Sequence, residues 1–160
     1  MRIIIADDEP LLRHHLGKLL EDISTDIQLI ASVGDGAQAL EAITSAQPDV
    51  VFLDIRMPGL DGLQVASELN KQNIQTNIVF VTAYDDHAIE AFEEGAIDYL
   101  VKPIDESRLL KTVKRLQSVQ HRSMPNDDLL NLIRQNQTQQ FETLVNADLK
   151  LIHLATLSPK

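Results

Sequence analysis

Short runs of apolar residues alternate along the first 121 residues with segments in which apolar positions recur every three or four residues. Apolar runs of this length, bounded by turn residues, are typical of strands buried on both faces. The recurrence at three and four predicts amphipathic helices between them. The predicted strands are Arg2–Ala6, Ile27–Val33, Val50–Leu53, Asn77–Val81 and Ala96–Val101.

A helical pattern follows each predicted strand. The first begins at Pro10, a residue favoured at a first helical position, and the last covers Ser107–Val119 with Leu109 and Leu110 among its inward residues. Five strand–helix units in succession predict a parallel sheet with helices on both faces. The predicted fold class is therefore α/β: a (βα)5, doubly wound, parallel five-stranded sheet.

Charge and composition exclude several classes of protein. The net charge of −10 lies entirely in residues 1–121, so no basic stripe is present to bind nucleic acid directly. The chain has no cysteine, which excludes disulfides and thiolate metal sites. No apolar run approaches the ~20 residues of a membrane span, and acidic residues follow the N-terminus too soon for a secretory signal. We therefore expect a cytoplasmic protein.

Polar residues follow four of the predicted strands at the point where each strand ends. They are Asp7, Asp8 and Glu9 after the first strand, Asp54 after the third, Thr82 after the fourth and Lys102 after the fifth. The carboxyl ends of parallel strands meet at one edge of the sheet, where ligands of open α/β sheets bind. The sequence therefore predicts a site at this edge.

The residue types at this edge indicate phosphoryl chemistry. Neighbouring carboxylates repel one another unless a cation intervenes, and an all-oxygen ligand set suits Mg²⁺. With that cation bound, Asp54 can act as a carboxylate nucleophile, while Lys102 and Thr82 contact the transferred group. Two alternatives are structural: Asp54 capping a turn, or an acidic rim that is ion-paired to a buried Lys102.

At these residues the chain resembles the receiver domain of two-component response regulators, over residues 1 to about 121. The resemblance implies a flavodoxin-like or CheY-like fold, with Asp54 as phosphoacceptor and a sensor histidine kinase as donor. It further implies a protein that assists its own phosphorylation and dephosphorylation and is not otherwise an enzyme. The motifs that carry the resemblance are Ile5–Pro10, Val51–Gly62, Val81–Tyr84 and Asp98–Pro103.

The same resemblance assigns a Mg²⁺ site. Asp8 and Asp54 are expected as direct ligands, the backbone carbonyl of Arg56 as a third, and Asp7 through water. The peptide bond between Lys102 and Pro103 is expected to be cis.

Thr82 and Tyr99 match the family's switch pair, in which the hydroxyl residue moves toward the phosphoryl group and the aromatic turns inward. Moving a switch from 1:99 to 99:1 requires about 5.5 kcal/mol. One charge-assisted hydrogen bond supplies about 1.5–3 kcal/mol. Thr82 alone is therefore insufficient, and we expect Lys102 and the metal to share the coupling.

The helix after Thr82 is acidic and the last helix is basic. One interpretation is a homodimer through the fourth helix, the fifth strand and the fifth helix, with opposed charges setting the register. The other interpretation, two solvated helix faces, carries equal weight on sequence alone. The charged residues are Asp85, Asp86, Glu90, Glu93 and Glu94 on the first helix and Arg108, Lys111, Lys114 and Arg115 on the second.

The chain changes character past residue 121. Residues 122–146 are expected to form a polar helical linker, and residues 147–160 the start of a truncated effector domain. The receiver, the linker and the stretch Tyr84–Phe92 resemble response regulators of the LytTR type, which bind DNA through a mostly β domain. DNA would then be contacted only by a domain absent from this chain.

Two other classes remain open. One is a single-domain adaptor that acts by protein–protein binding, against which the strand-like tail argues. The other is an aspartyl-phosphate phosphatase of the haloacid dehalogenase type. That class carries an acid or base two residues after its nucleophile, whereas this chain has Arg56, so hydrolysis is not expected.

Overall fold

The computed structural model describes residues 1–83 and 87–122, the last two by their backbone alone. Strands and helices alternate through this part of the chain in the predicted order. None of the described helices has the length and apolar character that a membrane span requires. The elements are β1 (Arg2–Ala6), α1 (Pro10–Ile23), β2 (Gln28–Val33), α2 (Gly36–Ala46), β3 (Val50–Leu53), α3 (Gly62–Lys71), β4 (Asn77–Thr82), α4 (Ala88–Glu93), β5 (Asp98–Val101) and α5 (Glu106–Arg122).

Several sequence predictions fall outside the described residues. They concern Tyr84, Asp85 and Asp86, the polar linker after residue 122, and the start of an effector domain at 147–160. The receiver boundary near residue 121 stays a prediction for the same reason.

The strands form one parallel five-stranded sheet in the order β2-β1-β3-β4-β5. β3 occupies the centre, and each of its four residues is buried. Ala6 pairs with Leu53, so β1 and β3 end level with each other, and Leu53 pairs with Phe80, so β4 continues two residues further toward the same edge. The doubly wound α/β fold predicted from the sequence is confirmed, as is the convergence of strand ends at one edge.

Alternate residues of the strands face two separate apolar cores, one on each side of the sheet. Ile4 and Val51 contribute to the core that α2, α3 and α4 cover. Ile5 and Phe52 contribute to the core that α1 and α5 cover. Burial on both faces explains why these strands appear in the sequence as continuous apolar runs.

The prediction that Leu110 faces inward is wrong. Its side chain is 38% exposed, whereas Leu109, Val113 and Leu116 of the same helix are buried. These three occupy positions i, i+4 and i+7, and one residue along an α-helix turns by about 100°, which carries Leu110 off the buried face. Leu11 is also exposed, because it lies off the face of α1 that carries the buried residues Leu16 and Leu20.

Candidate functional site

Ladder hydrogen bonds fix three of the predicted site residues one position beyond the ends of their strands. The amide of Asp54 donates to the carbonyl of Ala6 at 2.8 Å, and the amide of Lys102 donates to the carbonyl of Thr82 at 2.8 Å. The amide of Asp7 donates in the same way to the end of β2, at 3.1 Å. The sheet itself therefore positions the main chain of these residues, and their side chains project from its carboxyl edge.

Lys102 joins the acids of β1 and β3. Its Nζ lies 2.7 Å from Oδ2 of Asp7 and 3.2 Å from Oδ2 of Asp54, with Oε1 of Glu9 at 3.9 Å. The side chains of Lys102, Asp7 and Asp54 are only 10%, 7% and 6% exposed. The structure thus brings together three residues that lie far apart in sequence, in a place where water screens their charges little.

Burial is the main cause that raises the pKa of Asp54 above its ordinary value, and repulsion from Asp7 and Asp8 adds to it. The charge of Lys102 opposes this rise without cancelling it. Burial alone would lower the pKa of Lys102, but its hydrogen bond to Asp7 and the charge of Asp54 outweigh it and raise that pKa. Lys102 therefore stays protonated, while the ionised form of Asp54 would gain from a further cation.

Three consecutive carboxylates, those of Asp7, Asp8 and Glu9, offer oxygen atoms that lie within 4.8 Å of one another. Asp7 is buried, and the other two are exposed. Hard carboxylate oxygens beside a buried carboxyl with a raised pKa fit a divalent cation such as Mg²⁺. Glu9 belongs to this group of oxygen atoms although it was not among the predicted metal residues, and Lys102 connects the group to Asp54 by pairing with both Asp7 and Asp54.

The loop between β3 and α3 packs tightly against its surroundings. The amide of Gly62 donates to the carbonyl of Ile55 at 2.7 Å. A Cβ atom at Gly62 would lie 2.2 Å from the carbonyl oxygen of Asp54, which no side chain tolerates. Arg56 lies on this loop with its side chain exposed. The predicted role of its carbonyl as a ligand stays a prediction.

Thr82 and Tyr99 occupy adjacent strands. Thr82 is fully buried at the end of β4, opposite Val101. Tyr99 pairs with Phe80 and belongs to the core beneath α4, together with Ala91. Their roles as a switch pair stay predictions. The peptide bond between Lys102 and Pro103 is cis, as expected.

Arg13 also reaches the site, although nothing in the sequence singled it out. Its Nη1 donates to the carbonyl oxygen of Asp7 at 2.6 Å. In the sequence Arg13 is one polar residue among several on an amphipathic helix, and its distance from Asp7 matches no ligand spacing. Only the path of α1 beside the end of β1 creates the contact.

Comparison with known proteins agrees with this fold. The family model for the response regulator receiver domain matches residues 3–114. A response regulatory protein of Vibrio cholerae, described as uncharacterised, is 50% identical over 133 residues, covering 82% of this chain and 51% of that protein. The transcriptional regulatory protein BtsR of Escherichia coli is 44% identical over 130 residues, covering 81% of this chain and 53% of that protein.

The chain thus spans about half the length of the curated relatives it matches. Among solved structures, the response regulatory domain of protein mrkE from Klebsiella pneumoniae matches with a TM-score of 0.71 at 35% identity. That match covers 76% of this chain and 99% of the solved domain. The chain therefore belongs to the response regulator receiver domain family of two-component systems.

Proposed function

We propose that Asp54 accepts a phosphoryl group from a sensor histidine kinase, with Mg²⁺ bound at the carboxyl edge of the sheet. The observation that carries this proposal is the position of Lys102, within ion-pair distance of both Asp7 and Asp54 at a nearly buried site. The protein acts as a phosphoacceptor that assists its own phosphorylation and dephosphorylation. A simple capping role for Asp54 would require neither the buried cation nor the acids beside it.

In the proposed step, a carboxylate oxygen of Asp54 attacks the phosphorus atom of a phosphohistidine. A P–O bond forms, the P–N bond breaks, and the departing imidazole nitrogen keeps the electron pair. The ammonium group of Lys102, 3.2 Å from Oδ2 of Asp54, is close enough to neutralise charge on the transferred group. Thr82, at the end of the neighbouring strand, supplies a hydroxyl to the same oxygens.

The residues that would hold Mg²⁺ are Asp8 and Asp54, with the carbonyl of Arg56, and Asp7 through water. When bound, the ion keeps Asp54 ionised and neutralises the phosphoryl oxygens. The raised pKa of Asp54, caused first by burial, supports this assignment because a second cation offsets the desolvation of the carboxylate. The exposed carboxylate of Glu9 adds negative charge at the entrance.

The phosphoryl group carries about −1.5 to −2 charge and three acceptor oxygens, and it replaces the single negative charge of the Asp54 carboxylate. We propose that Thr82 moves toward these oxygens and that Tyr99 turns inward into the space it leaves. Lys102 and the metal supply the part of the switching energy that one hydroxyl cannot. The position of Tyr99 supports this role, because its strand β5 lies directly beside β4, which ends in Thr82.

The face formed by α4, β5 and α5 is proposed as the homodimer interface. Four apolar side chains of this face are exposed, with Ile89 the most at 76%. Glu90 and Glu93 on α4 are exposed, as are the lysines of α5, so a two-fold axis would set opposite charges against each other. The exposed apolar residues are Ile89, Phe92, Val101 and Leu110.

Sedimentation with and without a non-covalent phosphoryl mimic tests this interface. Dimers that form on adding the mimic, and that dissociate in a Phe92→Glu variant, would support it. Glu41→Lys, an exposed charge change on α2, is the matched control and should leave the dimer intact. A monomer at high concentration under all conditions contradicts the interface.

We propose that the output is transcriptional control through a C-terminal DNA-binding domain of the LytTR type. The name of BtsR, a transcriptional regulatory protein, supports the transcriptional role, and the stretch Tyr84–Phe92 supports the type. The alternative is a single-domain adaptor that acts by protein–protein binding. Sequencing the gene beyond the codon for Lys160 distinguishes the two. A continuation that encodes a basic, β-rich domain supports DNA binding, and an immediate stop codon supports the adaptor.

A turnover assay with phosphomonoesters tests the proposal that the chain is not a phosphatase. We expect no multiple-turnover hydrolysis, because Arg56 occupies the position where haloacid dehalogenase-type enzymes carry an acid or base. Steady hydrolysis that depends on Asp54 would favour the enzyme class instead.

A further inference from the structure

Asp7 is held through its main chain and through both carboxylate oxygens. Its amide donates to Val33 at 3.1 Å, and its carbonyl accepts from Nη1 of Arg13 at 2.6 Å. Its Oδ1 accepts from the amide of Glu9 at 2.9 Å, and its Oδ2 pairs with Lys102 at 2.7 Å. A rotation of the peptide group after Asp7 would therefore disturb several contacts of a buried residue at once.

Arg13 reaches this carbonyl across Gly34. A Cβ atom at Gly34 would lie 3.1 Å from Nη1 of Arg13 and 4.0 Å from the carbonyl oxygen of Asp7. The missing side chain gives the guanidinium room on its way to Asp7. Gly34 directly follows Val33, whose carbonyl accepts a hydrogen bond from the amide of Asp7. The end of β2 therefore supports Asp7 through this hydrogen bond and through the space that Gly34 leaves for Arg13.

We propose that Arg13 is a positioning residue for the cation site and acts through the carbonyl of Asp7. This inference rests on the proposed function, since it concerns how the acids meet Mg²⁺. Mg²⁺ requires near-octahedral geometry and tolerates little displacement of its ligands. Residues that orient metal ligands without touching the metal typically change affinity 10–100-fold when they are lost. By holding the peptide group between Asp7 and Asp8, Arg13 restrains the main chain from which both carboxylates extend.

The charge of Arg13 acts on Mg²⁺ affinity in the opposite direction. A guanidinium near an acidic site repels a divalent cation, so removing its charge alone would tighten Mg²⁺ binding. Removing a positioning contact would weaken it. The sign of the change in affinity therefore separates the two roles.

Titration calorimetry of Mg²⁺ binding tests the inference on three forms of the full chain at neutral pH. They are the wild type, Arg13→Met and, as the matched control, Lys18→Met, which removes an exposed positive charge from the same helix. We expect Arg13→Met to bind Mg²⁺ about tenfold more weakly than the wild type. Lys18→Met should bind as tightly as the wild type or slightly more tightly.

An Arg13→Met variant that folds normally and binds Mg²⁺ as tightly as the wild type, or more tightly, overturns the inference and leaves the proposed function intact. A wild type that binds no Mg²⁺ overturns both. Should Arg13→Met fail to fold, Gly34→Val gives the decision. A Cβ atom alone would displace Nη1 of Arg13 only slightly, whereas a branched side chain takes the space of the guanidinium without changing any charge. Weakened binding in Gly34→Val supports the inference, and wild-type affinity overturns it.

Discussion

Nζ of Lys102 lies 2.7 Å from Oδ2 of Asp7, its shortest ion pair. The corresponding distance to Asp54 is 3.2 Å. Lys102 is thus held more closely by the acid expected to meet the metal through water than by the proposed phosphoacceptor. This unequal sharing is consistent with the raised pKa of Asp54, whose burial the single shared cation does not fully offset.

We predict that Lys102→Met lowers the free energy of unfolding in Mg²⁺-free buffer by roughly 3 kcal/mol, because two buried acids lose their shared cation. The same variant should bind Mg²⁺ several-fold more tightly, since no ammonium group competes for the carboxylates, yet accept a phosphoryl group more slowly. Urea unfolding and Mg²⁺ titration measure the first two effects. Lys111→Met, exposed on α5, is the control. Unchanged stability together with unchanged Mg²⁺ affinity would contradict the prediction.

The pKa of Asp54 predicts how stability depends on pH. Burial first, and then the charges of Asp7 and Asp8, raise this pKa in the folded state. The stability that a raised pKa contributes is present below the unfolded pKa and is lost as the pH rises through the folded pKa. In Mg²⁺-free buffer, Asp54→Asn should therefore be more stable than the wild type near pH 7. Thermal unfolding across pH measures this difference, which should vanish below the ordinary carboxyl pKa. An Asn variant that is less stable at neutral pH would contradict it.

The pKa of Asp98 shifts in the opposite direction to that of Asp54, although both carboxyl groups are buried. Burial alone would raise its pKa, but hydrogen bonds from Arg108, Thr112 and the amide of Tyr99 outweigh burial and lower it. The side chain of Asp98 is 2% exposed and receives both terminal nitrogens of Arg108, at 2.6 and 3.0 Å. Because the folded pKa is lowered, this stability is present above the unfolded pKa and is lost as the pH falls through the folded pKa.

We predict that Arg108→Met destabilises the fold by about 2 kcal/mol at neutral pH, because it removes charge-assisted hydrogen bonds from a buried carboxylate. The loss should shrink in acid, once Asp98 is protonated in both states. Arg115→Met is the matched control: Nη1 of Arg115 lies 3.6 Å from Asp98, and the side chain is 55% exposed. The loss of stability in Arg115→Met should stay below about 1 kcal/mol. Urea unfolding at two pH values distinguishes the variants, and equal losses in both would contradict the prediction.

Two glycines should respond oppositely to alanine. At Gly62 a Cβ atom would meet the main chain of Asp54 at 2.2 Å and that of Ile55 at 2.9 Å, so the loop that carries Asp54 must shift. Gly62→Ala should cost about 2–3 kcal/mol in stability and slow phosphoryl transfer. At Gly17, inside α1, the nearest atom is Cδ2 of Leu29 at 3.4 Å, an ordinary contact. Gly17→Ala should therefore raise the free energy of unfolding by up to about 1 kcal/mol. Similar unfolding curves for the two variants would show that the close approach at Gly62 carries no strain.

The sequence predicted the strands and the edge of the sheet well because a parallel strand buried on both faces appears directly as an apolar run. Asp7, Asp54 and Lys102 follow such runs, so topology alone brings them together. The fifth strand begins at Asp98, two residues later than the sequence predicted. Ala96 is buried but does not belong to the strand. Burial and strand pairing give the same apolar signal in the sequence.

Other features depend on side-chain paths that spacing does not encode. Leu110 belongs to an apolar cluster in the sequence, yet one residue of helical rotation moves it to the surface. The contact of Arg13 with Asp7 requires both the course of α1 and the empty space at Gly34. Neither could be predicted from residue type, because each depends on the packing of elements distant in sequence.

The most direct test of the proposed function is phosphoryl transfer to Asp54 from a small acyl phosphate donor, followed by intact-protein mass spectrometry and peptide mapping. We predict one phosphoryl group per wild-type chain, located on Asp54, and none when Mg²⁺ is chelated. Asp54→Asn should take up none, whereas Asp35→Asn, which keeps a side chain able to cap α2, should behave as the wild type. Mg²⁺-independent, acid-stable labelling that persists in Asp54→Asn would contradict the assignment of Asp54 as phosphoacceptor.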